Sequence, residues 1–181
     1  MQLLAAIFAA LSFITLASCQ NLTLNTTQAY YLRTDLKPGQ PDKARFDGLY
    51  LYAYHTGAGM NDAVFAANKT SYAAKGFLNA TTLTDFNNQT YSNYSNQEFD
   101  LGNPFPWTMY MSENTNFYAA WEPVRINAGS GPDSVGSSVG GVYTGFFIND
   151  TGLQWTNYPG NPKLSSFGGW LGNSAAYLPT L

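Results

Sequence analysis

Cysteine is nearly missing from this 181-residue chain: Cys19 is the only one, and His55 is the only histidine. One thiol cannot make an internal disulfide, so the folded part must be held by its core rather than by covalent staples. The same shortage leaves no ligand set for zinc or an iron–sulfur cluster, whose shells need several Cys or His. No metal or other cofactor is expected. Charge is scarce as well. Eight Lys and Arg against 11 Asp and Glu give a net charge of −3. Without a basic cluster to displace counterions, nucleic acid is excluded as an expected partner, and so is an anionic membrane surface. Helical periodicity is missing too, since no segment repeats apolar residues at 3.6-residue spacing over three turns.

What the chain does have is aromatic side chains, 16% of all residues, led by 13 Tyr and 12 Phe. That content argues against disorder over the bulk of the chain. The run Leu3 to Leu16 is apolar but too short for a spanning helix. Ala17, Ser18 and Cys19 follow it, so residues 1–19 read as a secretion signal cut after Ala17 or Cys19. Leu16-Ala17-Ser18-Cys19 also resembles a bacterial lipobox, but the opening Met1-Gln2 lacks the usual Lys or Arg. Asn-x-Ser/Thr acceptors stand at Asn21, Asn25, Asn68, Asn79, Asn88, Asn93 and Asn149. They belong to the eukaryotic secretory route and imply exposed positions. A secreted glycoprotein, extracellular or in a cell wall, is the expectation. No apolar tail follows Tyr177 to Leu181, so no glycolipid membrane anchor is expected.

Residues 20–29 read as a glycosylated N-terminal arm, and residues 30–181 as one domain. The clearest strand is Gly48 to His55, where Leu49, Leu51 and Ala53 alternate with Tyr50, Tyr52 and Tyr54. Gly57 and Gly59 break it. Further short strands are expected at 30–34, 63–67, 73–78, 99–101, 107–111, 117–121, 124–127, 142–149, 153–156, 167–171 and 176–178. Residues 79–96, with three acceptors and few apolar side chains, read as a long loop, as does the Gly/Ser tract 129–141. Many short strands between Gly, Pro, Asn and Ser clusters predict an all-β fold, a trefoil or barrel, with a sandwich as the alternative. Gly76-Phe77-Leu78-Asn79 and Gly145-Phe146-Phe147-Ile148-Asn149 share an outline, a faint internal repeat.

Three constellations invite chemistry. His55 and Asp62 flank a Gly-rich turn, where Asp62 would orient the imidazole as a general base; the structural alternative is a strand end with a capped turn. No Gly-x-Ser-x-Gly elbow supplies a nucleophile. Among the carboxylates Asp62, Asp85, Glu98, Asp100, Glu113, Glu122 and Asp133, a glycosidase would need two across a sugar bond. Glu122, between Trp121 and Pro123, has the most apolar neighbours, and Arg125 is its expected salt-bridge partner. Aromatic rows are the third: Tyr50, Tyr52 and Tyr54, and Trp107, Tyr110 and Trp121, would pack against sugar faces or simply under a loop.

The run Phe46 to Gly59, with Gly76-Phe77-Leu78-Asn79 and Phe167-Gly168-Gly169-Trp170-Leu171, resembles a family of small secreted proteins of filamentous fungi, a resemblance that brings no activity. His55-Thr56-Gly57, Ala63 to Ala67 and Asp150-Thr151-Gly152-Leu153-Gln154-Trp155 resemble fungal cell-wall proteins of the phialide-development type. That second family has paired cysteines, which this chain lacks, so the likeness implies a surface location and no catalytic residue. The combined reading is a non-enzymatic secreted protein of the fungal surface or wall, or a host-directed effector whose partner is a host protein. Alternatives are a module binding wall polysaccharide through its Tyr/Trp face, and a small hydrolase or isomerase using His55 and Asp62 or Glu122.

Overall fold

The computed structural model describes residues 28–67, 73–85, 87–112, 122–136, 142–161 and 169–170. These form an all-β architecture of nine strands, β1 (Tyr30–Tyr31), β2 (Tyr50–Gly57), β3 (Met60–Ala66), β4 (Lys75–Thr84), β5 (Thr90–Asp100), β6 (Trp107–Met111), β7 (Val124–Ala128), β8 (Phe146–Asn149) and β9 (Gly152–Trp155). They build one antiparallel sheet in the order β1-β4-β5-β6-β7-β3-β2, with β8 added to β5 and β9 to β8. Two short 3-10 helices, Pro41–Phe46 and Gly131–Asp133, each start with a proline near the first turn. The missing N–H of proline costs nothing there.

The sheet is open, so the expected trefoil or barrel is corrected, and a sandwich-like open sheet is compatible with this topology. Closure would need a strand long enough to pair along both end strands. β1 has two residues, and β2 meets the opposite end only through the single bridges Arg33 to Tyr50 and Tyr52 to Ala73.

Residues 79–96, expected as a loop, form most of the longest hairpin instead. Asn79 pairs Asn96, Ala80 pairs Ser95, Thr81 pairs Tyr94 and Thr84 pairs Thr90. Thr and Tyr suit a pleated surface whatever their polarity, and cross-strand partners replace apolar burial as the organising contact. The expected strands at 117–121, 167–171 and 176–178 lie wholly or largely outside the described residues, as do residues 1–27.

Alternation assigns the two faces of the sheet. Leu51, Phe99, Trp107, Met109, Met111, Ile126, Phe146 and Leu153 are buried together and make the core face. Ala53, Ala63 and Val124 pack against them, which agrees with the expected inward Leu51 and Ala53. Each large apolar side chain buried there contributes about 1.5–3 kcal/mol. The opposite face is polar, yet all five residues of β6 are buried. Thr108 and Tyr110 point away from the core, so something else must cover them. Over Thr108 that cover is the segment 129–136.

Candidate functional site

One cross-strand row on the polar face reads Phe77, Glu98, Thr108, Asn127 and Met60, on β4, β5, β6, β7 and β3. Asn79 pairs Asn96 in the next row. Over these lies the turn Ser130 to Gly136. Thr108 Oγ1 donates to the Gly129 carbonyl at 2.7 Å and accepts from the Gly131 N–H at 2.9 Å. Asn127 Nδ2 donates to the Val135 carbonyl at 2.6 Å, and the Val135 N–H returns to Ala128 at 2.8 Å. Gly129 takes φ +105, and a Cβ there would stand 2.6 Å from the Asp133 carbonyl oxygen. Only glycine allows the turn to fold back this closely.

Under the turn sits Glu98, 1% exposed. Ser130 donates its hydroxyl to Oε1, and Asn79 Nδ2 donates to Oε2 at 3.2 Å. Burial pushes the Glu98 carboxyl above the ordinary carboxylate range, and the hydrogen bonds from Ser130, Asn79 and the Gly131 backbone pull it back only in part. The cause is the loss of water around the charged form. A carboxyl sealed this way reaches no substrate in this arrangement. Its chemistry is to receive donors from the turn and from β4, tying the two together. Asn96 Oδ1 and Asn127 Oδ1 are buried in the same patch and accept no hydrogen bond among the described residues.

Glu98 stood undistinguished among the sequence candidates, because it fell between the expected loop 79–96 and the expected strand 99–101 and nothing local gave a reason to bury it. The available signal was its place two residues from Asn96 on one face of a strand, beside the apolar Phe99.

The other candidates are dispersed. Register pairs Tyr54 with Asp62 and His55 with Asn61, so His55 and Asp62 project from opposite faces of the β2–β3 hairpin. The proposed general-base dyad is not assembled, because neighbouring strand positions alternate. Asp62 instead meets Arg125 across β3 and β7, with Nε to Oδ1 at 3.6 Å. This replaces the pairing of Arg125 with Glu122, which is exposed just before β7.

Tyr50, Tyr52 and Tyr54 do share one face of β2, opposite Ala66, Val64 and Asp62, and Tyr54 is 53% exposed. The second aromatic row does not form a surface. Trp107 is buried in the core with Nε1 donating to Asn103 at 3.0 Å, and Tyr110 is buried on the other side of β6. Trp121 lies outside the described residues.

Of the seven Asn-x-Ser/Thr motifs expected to accept glycans, those at Asn21, Asn25 and Asn68 lie outside the described residues. Asn88, Asn93 and Asn149 are exposed. Asn88 occupies the β4–β5 turn with φ +61, and Asn93 lies three residues into β5. Strand β8 joins β5 at Ser95 and runs antiparallel to it, with the Phe147 ring edge-on to Tyr94 at 5.7 Å. This carries the β8–β9 turn, and Asn149 with it, toward the same end of the sheet. There Asn149 Oδ1 accepts from the Thr151 N–H at 2.9 Å and from its hydroxyl at 2.7 Å. Asn79 differs: it is half-buried, and its amide nitrogen is the one already given to Glu98.

Among the described residues no three His, Cys, Asp or Glu converge on a point that would hold a metal ion. Among the same residues no helix is long and apolar enough to cross a membrane. A family model described as a domain of unknown function, DUF7907, matches residues 27–172. No curated protein and no solved structure matches the chain.

Proposed function

The chain belongs to the DUF7907 family, and we propose that it is a secreted, N-glycosylated, non-enzymatic protein of the fungal cell surface or wall, or one released toward a host. The observation that carries this reading is the placement of Asn88, Asn93 and Asn149, all exposed toward one end of the sheet. The sequence supplies the route through its apolar leader at residues 3–16. With a single cysteine, the domain relies on its core and the sealed Glu98 turn to hold the fold where small secreted domains more often use disulfides. Expression of the full chain in a fungal secretory host tests the proposal. The protein is expected in the medium or the wall fraction, without its first 17 to 19 residues, and smaller after endoglycosidase treatment. Recovery from the cytosol with Met1 to Cys19 attached and no glycan would contradict it.

A second reading, recognition of wall polysaccharide, is favoured by the tyrosine row on β2 and the exposure of Tyr54. Aromatic rings left on a surface suit the flat faces of pyranose rings. Retention of the protein on insoluble chitin, β-glucan or mannan is its direct test, and passage through all three would remove it.

A further inference from the structure

A cleft of about 360 Å³ opens where β1 and the start of β4 meet β2, lined by Tyr31, Ala53, Ala73, Lys75, Asp100 and Leu101. Its size lies within the range of small-ligand sites. Its polar lining comes from one cross-strand row, since Tyr31 pairs Lys75 and Lys75 pairs Asp100. Opposite charges facing each other across antiparallel strands ordinarily join. Here they do not: the ion pairs among the described residues are Lys43 with Asp42 and Arg125 with Asp62. Lys75, half-buried, has no hydrogen-bond or ion-pair partner among them. Asp100 is held by the Gly102 N–H, which donates to Oδ1 at 2.8 Å, while Oδ2 accepts nothing among the described residues. Tyr31, 38% exposed, supplies an aromatic surface beside both.

We infer that this cleft binds one residue of a neutral saccharide. The chemistry is threefold. An ammonium offers donors, and a fixed carboxylate oxygen offers an acceptor, which together match hydroxyl groups that both accept and donate. The tyrosine ring offers an apolar surface to the C–H face of the sugar. One cation and one anion leave the lining neutral, which suits an uncharged ligand over a polyanion. Asp100 is already oriented by Gly102, so little ordering is needed on binding. The inference rests on the polysaccharide-recognition reading and moves its centre from Tyr54 to the seam beyond Tyr52, whose bridge partner Ala73 lines the cleft.

The test is calorimetric titration of the full secreted protein with hexasaccharides of chitin, β-1,3-glucan, mannan and polygalacturonate. Lys75→Met, Asp100→Asn, Tyr31→Ala and Tyr54→Ala are measured alongside, each checked for an unchanged circular dichroism spectrum. The two near-isosteric variants at Lys75 and Asp100 keep the test open should Tyr31→Ala disturb the short β1. One neutral hexasaccharide is expected to bind, at least tenfold more weakly in Lys75→Met and Asp100→Asn, with a smaller loss in Tyr54→Ala than in either. Binding that survives those two variants but is lost in Tyr54→Ala overturns the cleft and leaves polysaccharide recognition standing. Binding of polygalacturonate alone overturns the neutral ligand. Heat from none of the four overturns both.

Discussion

Asn79 gives its side-chain amide to the buried carboxylate of Glu98, Nδ2 to Oε2 at 3.2 Å, across the paired strands β4 and β5. A residue that fits a glycosylation motif is thereby a structural donor. Replacing it with aspartate sets a second carboxylate against the first inside a water-poor site. Asn79→Asp is expected to lower stability by roughly 1–3 kcal/mol, the cost of an unsatisfied buried polar group, with more added by like-charge repulsion. Urea denaturation of wild type and Asn79→Asp measures it. Equal midpoints would mean that the donor does not matter.

The raised Glu98 carboxyl makes a statement about pH. Over the interval above the unfolded carboxylate value, about 4.3, the folded chain still holds a proton that the unfolded chain has released. Stability from this group therefore falls as pH rises through that interval and is fully present below it. Glu98→Gln keeps the shape and one of the two acceptor oxygens but does not titrate. Thermal midpoints of the two proteins from pH 4 to 8 should show wild type losing ground to the variant as pH rises. A parallel pair of curves, or the opposite drift, would show that burial does not dominate at this carboxyl.

The turn over Glu98 depends on Gly129. With φ at +105 and the Asp133 carbonyl 2.6 Å from any added Cβ, alanine is strained in both backbone and space. Gly129→Ala is expected to cost more than about 1 kcal/mol. Hydrogen exchange should also quicken at Gly131 and Val135, whose N–H groups tie the turn down. Unchanged exchange at both positions would argue that the turn is held by something else.

Charge across the hairpins contributes little by comparison. The Arg125–Asp62 pair stands at 3.6 Å with both side chains about half exposed. Arg125→Ala is expected to change stability by less than about 1 kcal/mol. Ile126→Ala, one residue along on the core face, should cost about 2–5 kcal/mol. Chemical denaturation of the two variants gives the contrast, and a reversed order would misplace the core.

Much of the fold was legible because alternation is a local signal. Leu51 and Ala53 against Tyr50, Tyr52 and Tyr54 declared the two faces of β2, and the expected strand 107–111 coincides with β6. The hairpin over 79–96 was not legible, since its Thr, Asn and Tyr side chains are stabilised by partners far along the chain rather than by an apolar pattern. The site was hidden for the same reason. Glu98 is buried by a turn more than 30 residues away, and nothing beside it in sequence announces Ser130 or Asn79 as its donors. The dyad of His55 with Asp62, weighed beside a capped strand end, and the pairing of Glu122 with Arg125 were local readings, whereas strand register decides which side chains meet.

Site-resolved glycopeptide mass spectrometry on the folded protein, expressed through a fungal secretory host, tests the account most directly. Sugar at Asn88, Asn93 and Asn149, with Asn79 bare, is the predicted pattern. Sugar on Asn79 in folded material, or none on the other three, would contradict it.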